Sequence, residues 1–66
     1  MNKKKYPMTR EVRVLKKLKR NYDDCNWSDI GDICGLSHNA IYSYLRGDKA
    51  HEYSYMKMCE ALENSE

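Results

Sequence analysis

The two-residue step from Gly35 to Ser37 constrains this chain more than any other feature, because it sets a helix stop directly before a helix start. Glycine takes the left-handed conformation that closes a helix at no steric cost, and serine is a preferred N-cap. Two short helices joined this tightly cannot continue as one rod, so they must turn and pack against each other. The apolar spacing agrees. Asn26 can cap the first helix with Asp29 three places on, a variant of the capping box, and Trp27, Ile30, Ile33 and Cys34 then form a stripe over about two turns. In the second helix, over 37–46, Ala40, Ile41, Tyr44 and Leu45 supply a buried face, with His38, Asn39, Tyr42, Ser43 and Arg46 opposite. Gly47 stops it. Gly31 lies inside the first helix, where glycine costs up to about 1 kcal/mol; close approach of the two helices is the expected compensation.

The flanks add two more helices. Thr9 is an N-cap, and Val12, Leu15, Leu18 and Tyr22, widened by Val14, give an amphipathic helix whose opposite face is almost wholly cationic. Residues 21–25 form a polar link and residues 48–52 a polar loop. A last helix from Tyr53 or Ser54 carries Tyr55, Met58, Cys59 and Leu62 toward the core, with Met56 at its edge. Lys3, Lys4 and Lys5 stand side by side and Pro7 disfavours a helical Tyr6, so residues 1–8 read as a flexible basic arm. The expected organisation is this arm, one domain over 9–63, and a frayed end at 64–66. The expected fold class is all-α, a compact bundle of four, at most five, short helices.

Sixty-six residues have interior enough for one core. Cofactor folds and barrels need more chain, and the three glycines form no phosphate-cradling loop. No Ser-His-acid set or carboxylate pair has a pocket in so small a chain, so an enzyme is not expected. Cys25, Cys34 and Cys59 cannot all pair, which favours a reducing compartment. No apolar run approaches the roughly 18 to 20 residues of a membrane span, and no hydrophobic segment follows the first lysines. The expected location is therefore the cytoplasm, without membrane partners. Cys34 and His38 straddle the turn, His51 lies in a loop and no CxxC pair exists, so neither a metal nor a cofactor is expected. Six tyrosines accompany no phenylalanine; Tyr22, Tyr44 and Tyr55 read as core packing and Tyr42 as surface.

The net charge of +2 conceals a polarised chain. Residues 1–20 hold nine basic residues against Glu11, a balance of +8, whereas residues 21–66 hold three basic and nine acidic residues, a balance of −6. At the level of motifs, the segment WSDIGDICGLSHNAIYSYLR, from Trp27 to Arg46, resembles the Cro/repressor-type helix-turn-helix proteins of phages and bacteria, the lambda-repressor-like family. Ile30, Gly31, Cys34, Gly35, Leu36 and Ile41 carry the likeness. Arg46-Gly47-Asp48-Lys49 resembles the family's turn after its recognition helix, residues 53–62 its following helix with an Ala-Leu ending, and residues 2–9 its lysine-rich arm and first cap. Leu45 departs from the family's frequent Glu, Trp27 from its usual polar residue, and the sequence holds no counterpart of a fifth helix.

The resemblance implies a transcriptional regulator, in most relatives a repressor, whose partner is a double-stranded DNA operator bound by a homodimer. The helix over 37–46 would enter the major groove, with His38, Asn39, Tyr42 and Ser43 reading bases. Asn39 matches the N6/N7 edge of adenine, a bidentate pair worth roughly 1–3 kcal/mol. Phosphates would be held by Lys3, Lys4, Lys5, Arg10, Lys19, Asn26, Ser28, Arg46 and Lys49. Asp23, Asp24, Asp29 and Asp32 would repel a duplex that they faced, so modest affinity is expected. The alternative class is a protein-interaction module of the same fold, antirepressor or antitoxin-like. The polar face of the third helix discriminates in favour of DNA.

Overall fold

Each helix start expected from a capping residue is made by that residue. The computed structural model describes residues 6–66, so Lys3, Lys4 and Lys5 lie outside the described residues. Thr9 Oγ1 accepts the Val12 amide at 3.1 Å and opens α1 (Arg10–Asn21). Asn26 Oδ1 accepts the Asp29 amide at 2.9 Å while Asp29 Oδ2 accepts the Asn26 amide at 3.3 Å, so the capping box opens α2 (Trp27–Cys34). Ser37 Oγ accepts the Ala40 amide at 3.2 Å ahead of α3 (His38–Arg46). Gly35 and Gly47, at φ 77° and 116°, close α2 and α3. The Leu36 amide returns to the Gly31 carbonyl at 2.8 Å, completing the turn between the two helices.

The fourth helix differs from its expected start. α4 spans Glu52–Asn64, with His51 at the N-cap lending no side-chain bond. Apolar periodicity could not signal this start, because Glu52 is exposed and acts only as a negative charge in the first turn. Ser65 Oγ accepts from Asn21 Nδ2 and donates to the Leu62 carbonyl, both at 2.7 Å, which ties the end of α4 to the end of α1.

The described residues thus form an all-α fold of four helices, with α2 packed most extensively on α3 and α1 on α4. Leu15 and Leu18 of α1, Ile30 and Cys34 of α2, Ile41, Tyr44 and Leu45 of α3, and Met58 and Ala61 of α4 meet in the core. Tyr55, Cys59 and Leu62 line its border. Ile33, expected in the α2 stripe, is 37% exposed. The close approach of Gly31 to α3 decides this: it turns Trp27, Ile30, Gly31 and Cys34 inward and leaves Ile33 on the flank. Burial pushes the Cys34 thiol up to about 11. Alkylation of the native protein at neutral pH is expected to modify half-exposed Cys25 and Cys59 and to spare Cys34 until denaturant is added, as peptide masses over time would reveal. Equal rates at all three would contradict this packing.

Two polar segments turn out to be structural. Ala50, in the loop read as polar, is buried, and its amide donates to Glu11 Oε2 at 3.0 Å. Glu11 is itself 2% exposed, with Arg10 Nε at 3.4 Å. Burial pushes the Glu11 carboxyl up, but the Ala50 amide, its own backbone amide and the Arg10 guanidinium together hold it below the ordinary carboxylate value. Ahead of the same end of α1, Tyr6 and Pro7, assigned to the arm, are half-buried. The Tyr6 ring meets Trp27 edge-on at 6.4 Å, and a Cβ placed on Gly47 would touch the Pro7 ring at 3.4 Å.

Candidate functional site

The outward face of α3 follows from its inward one. With Ile41, Tyr44 and Leu45 turned to the core, His38, Asn39 and Tyr42 are left exposed and Ser43 half-buried. His38 and Tyr42, one turn apart, pack edge-to-face at 6.2 Å. Asn39 lies beside them in the first turn, its amide open to solvent. Arg46 Nη2 donates to Ser43 Oγ at 3.4 Å and lies 4.0 Å from Asp48 Oδ2. Both contacts are long and exposed, so they hold the guanidinium weakly and release it to a stronger anion.

Two further cations stand by the start of α2. Lys19 Nζ lies 5.6 Å from the Trp27 ring centre and Lys16 Nζ lies 5.8 Å from that of Tyr6. Pro7 continues the same strand of chain to Gly47, at the end of α3. The Tyr6-Pro7 segment thus bridges the start of α2 and the end of α3, with Lys16 and Lys19 on one side and Arg46, Asp48 and Lys49 on the other. Lys16 was not singled out from the sequence. Its spacing from Lys19 put both on one flank of α1, but only the docking of Tyr6 on Trp27 shows which flank faces α2.

Two expected phosphate contacts are placed differently. Asn26 spends its side-chain oxygen on the Asp29 amide, and the Asp29 carboxylate answers at the Asn26 amide, so the start of α2 already holds an anion. Ser28 remains exposed beside it. Arg10 is on the far side of α1: its guanidinium carbon stands 4.0 Å over the Tyr55 ring and its Nε faces Glu11. Nine positions separate Arg10 from Lys19, which at about 100° per residue is half a turn, so both cannot border the same surface. Asp23, Asp24 and Asp32 are exposed.

Among the described residues no three His, Cys, Asp or Glu side chains gather as a metal site, and no helix is long and apolar enough to cross a membrane. No protein-family model, curated protein or solved structure matches the chain.

Proposed function

We propose that this protein is a sequence-specific double-stranded DNA-binding transcriptional regulator of the repressor type, in which α2 and α3 form a lambda-repressor-like helix-turn-helix. The observation that carries this reading is the exposed polar face of α3, His38, Asn39 and Tyr42, mounted on the tight Gly31 crossing, with Arg46 and Lys49 at the end of α3 and Lys16 and Lys19 by the start of α2. In this reading α3 lies in the major groove and Asn39 pairs with an adenine edge. His38 donates to guanine, and Tyr42, braced by His38, meets a thymine methyl or a sugar. Ser43 is the fourth reader once Arg46 turns to a phosphate. The cations position the duplex and supply most of the affinity by releasing condensed counterions. Lys3, Lys4 and Lys5, outside the described residues, belong to the same set of phosphate contacts in this reading. Asp29, engaged in the α2 cap, adds little repulsion, whereas Arg10, stacked on Tyr55 on the far side of α1, is left out of the phosphate contacts in this reading.

Selection of bound duplexes from a random pool tests the reading and supplies the operator. Asn39→Ala is then expected to weaken that operator about 5- to 150-fold, the equivalent of roughly 1–3 kcal/mol, and to leave random duplex almost unaffected. Replacing Lys16 and Lys19 with alanine weakens both duplexes and lowers the salt slope by about one per lysine. No enriched site in the pool, with folding intact, would transfer the exposed α3 face to a protein partner.

A further inference from the structure

Residues 7–11 hold the loop between α3 and α4 at two points. The Pro7 ring lies against Gly47, where an added Cβ would stand 3.4 Å from it, and Glu11 Oε2 accepts the Ala50 amide at 3.0 Å across 39 positions of sequence. Glu11 and Ala50 are both buried, so this bond is shielded from water. The loop's other amides divide sharply. Gly47 donates to the Tyr44 carbonyl and Asp48 to the Ser43 carbonyl, both at 3.1 Å, whereas the Lys49 amide meets no acceptor among the described residues. Lys49 itself is exposed. The loop therefore turns one amide and one ammonium outward, directly beside the amide that Glu11 fixes.

We propose that Glu11 is a positioning residue for phosphate binding at Lys49, holding the Lys49 amide and ammonium toward the DNA backbone at the end of α3. The inference rests on the reading of α3 as the DNA-binding helix. Glu11 touches no DNA in it, being buried beneath the loop. A loop released from Glu11 must be ordered again at every binding event, which costs affinity although every cation remains in place. The charge of Glu11 acts in the opposite direction. Removing a carboxylate lessens the repulsion of phosphates, so electrostatics alone makes Glu11→Ala a tighter binder of duplex. Positioning makes it a weaker one, and the sign of the change separates the two.

Titration of a dye-labelled random-sequence duplex with the full chain at several salt concentrations tests it, at a temperature where circular dichroism shows each variant folded. Glu11→Ala should weaken binding about 3- to 10-fold, the cost of ordering one or two residues, with an unchanged salt slope because no cation is lost. Glu11→Gln lacks the charge but keeps an acceptor for Ala50, and should bind at least as tightly as the wild type. Lys49→Ala should weaken binding and lower the slope by about one. In that background Glu11→Ala should have a smaller effect than it has alone. Leu62→Ala, which trims the border of the core near the far end of α4, controls for lost stability and should bind as the wild type does. If the wild type binds duplex, the positioning role is overturned by a Glu11→Ala variant that binds as tightly, by a glutamine variant as weak as alanine, or by equal weakening in Leu62→Ala. Each of these leaves the DNA reading standing. A wild type that binds no duplex overturns both.

Discussion

Glu11→Ala is expected to lower the melting temperature by roughly 8–16 °C, from a loss of about 2 kcal/mol in a domain of this size. The carboxylate is almost wholly buried and accepts the Ala50 amide at 3.0 Å. Alanine would leave that buried amide without its partner and open a gap beneath the loop between α3 and α4. Glu11→Gln keeps an acceptor of similar size and should recover much of the loss, which separates the hydrogen bond from simple packing. Acidification offers an independent check. Because the folded carboxyl is held below its ordinary value, its contribution is present above the unfolded carboxylate pKa and is lost as pH falls through the folded one. Thermal unfolding across that acid range should therefore show a steeper decline in the wild type than in Glu11→Gln. Equal melting temperatures for wild type and Glu11→Ala would mean that the loop is not anchored there. The anchor also bears on the proposed DNA contact, since Ala50 follows Lys49 directly.

Gly31→Val is expected to cost about 3 kcal/mol, at the upper end of overpacking effects. A Cβ at this position would lie 2.9 Å from the Leu36 carbonyl oxygen, 3.3 Å from Ile41 Cγ1 and 3.5 Å from His38 Cα. Two of those atoms are backbone, so relief requires moving the turn and the first residues of α3 rather than rotating a side chain. Gly31→Ala gains up to about 1 kcal/mol of helix propensity and loses about 1–3 to the same contact. It should be destabilised by about 1 kcal/mol, and denaturant midpoints should rank glycine, alanine, valine. On DNA, any valine variant that remains folded should lose operator preference more than general duplex affinity, because the displaced residues are the readers while Lys16 and Lys19 stay on α1. A valine variant as stable as the wild type would show that the crossing is looser than these distances.

Local features of the fold were legible because the interactions that make them span only a few residues. Thr9, Asn26 with Asp29, Ser37, Gly35 and Gly47 each act on backbone within three to five positions, so their residue types sufficed to set three helix starts and two helix ends. Most of the core was legible for a similar reason, since a helix projects apolar spacing onto one face. Gly31 was legible as a conflict: its helical position made sense only with a close neighbour, and Leu36 and Ile41 supply one. For the candidate site, the exposure of His38, Asn39 and Tyr42 followed from the burial of Ile41, Tyr44 and Leu45. Which cations stand beside them did not follow, because the six basic residues of α1 point to several sides of that helix.

By itself, then, the sequence determined four helical segments, the N-caps of the first three, the tight link at Gly35 and the polar face of α3, all consequences of short-range geometry. Only the tertiary structure decided that Ile33 lies outside the core, that Ala50 and Glu11 are buried together across the fold, and that Tyr6 docks on Trp27. It also divided the +8 balance, leaving Lys16 and Lys19 beside α2 and Arg10 beside α4. The physical reason is that charge and hydrophobicity say what a side chain can do, whereas the angle at which helices cross settles what it meets.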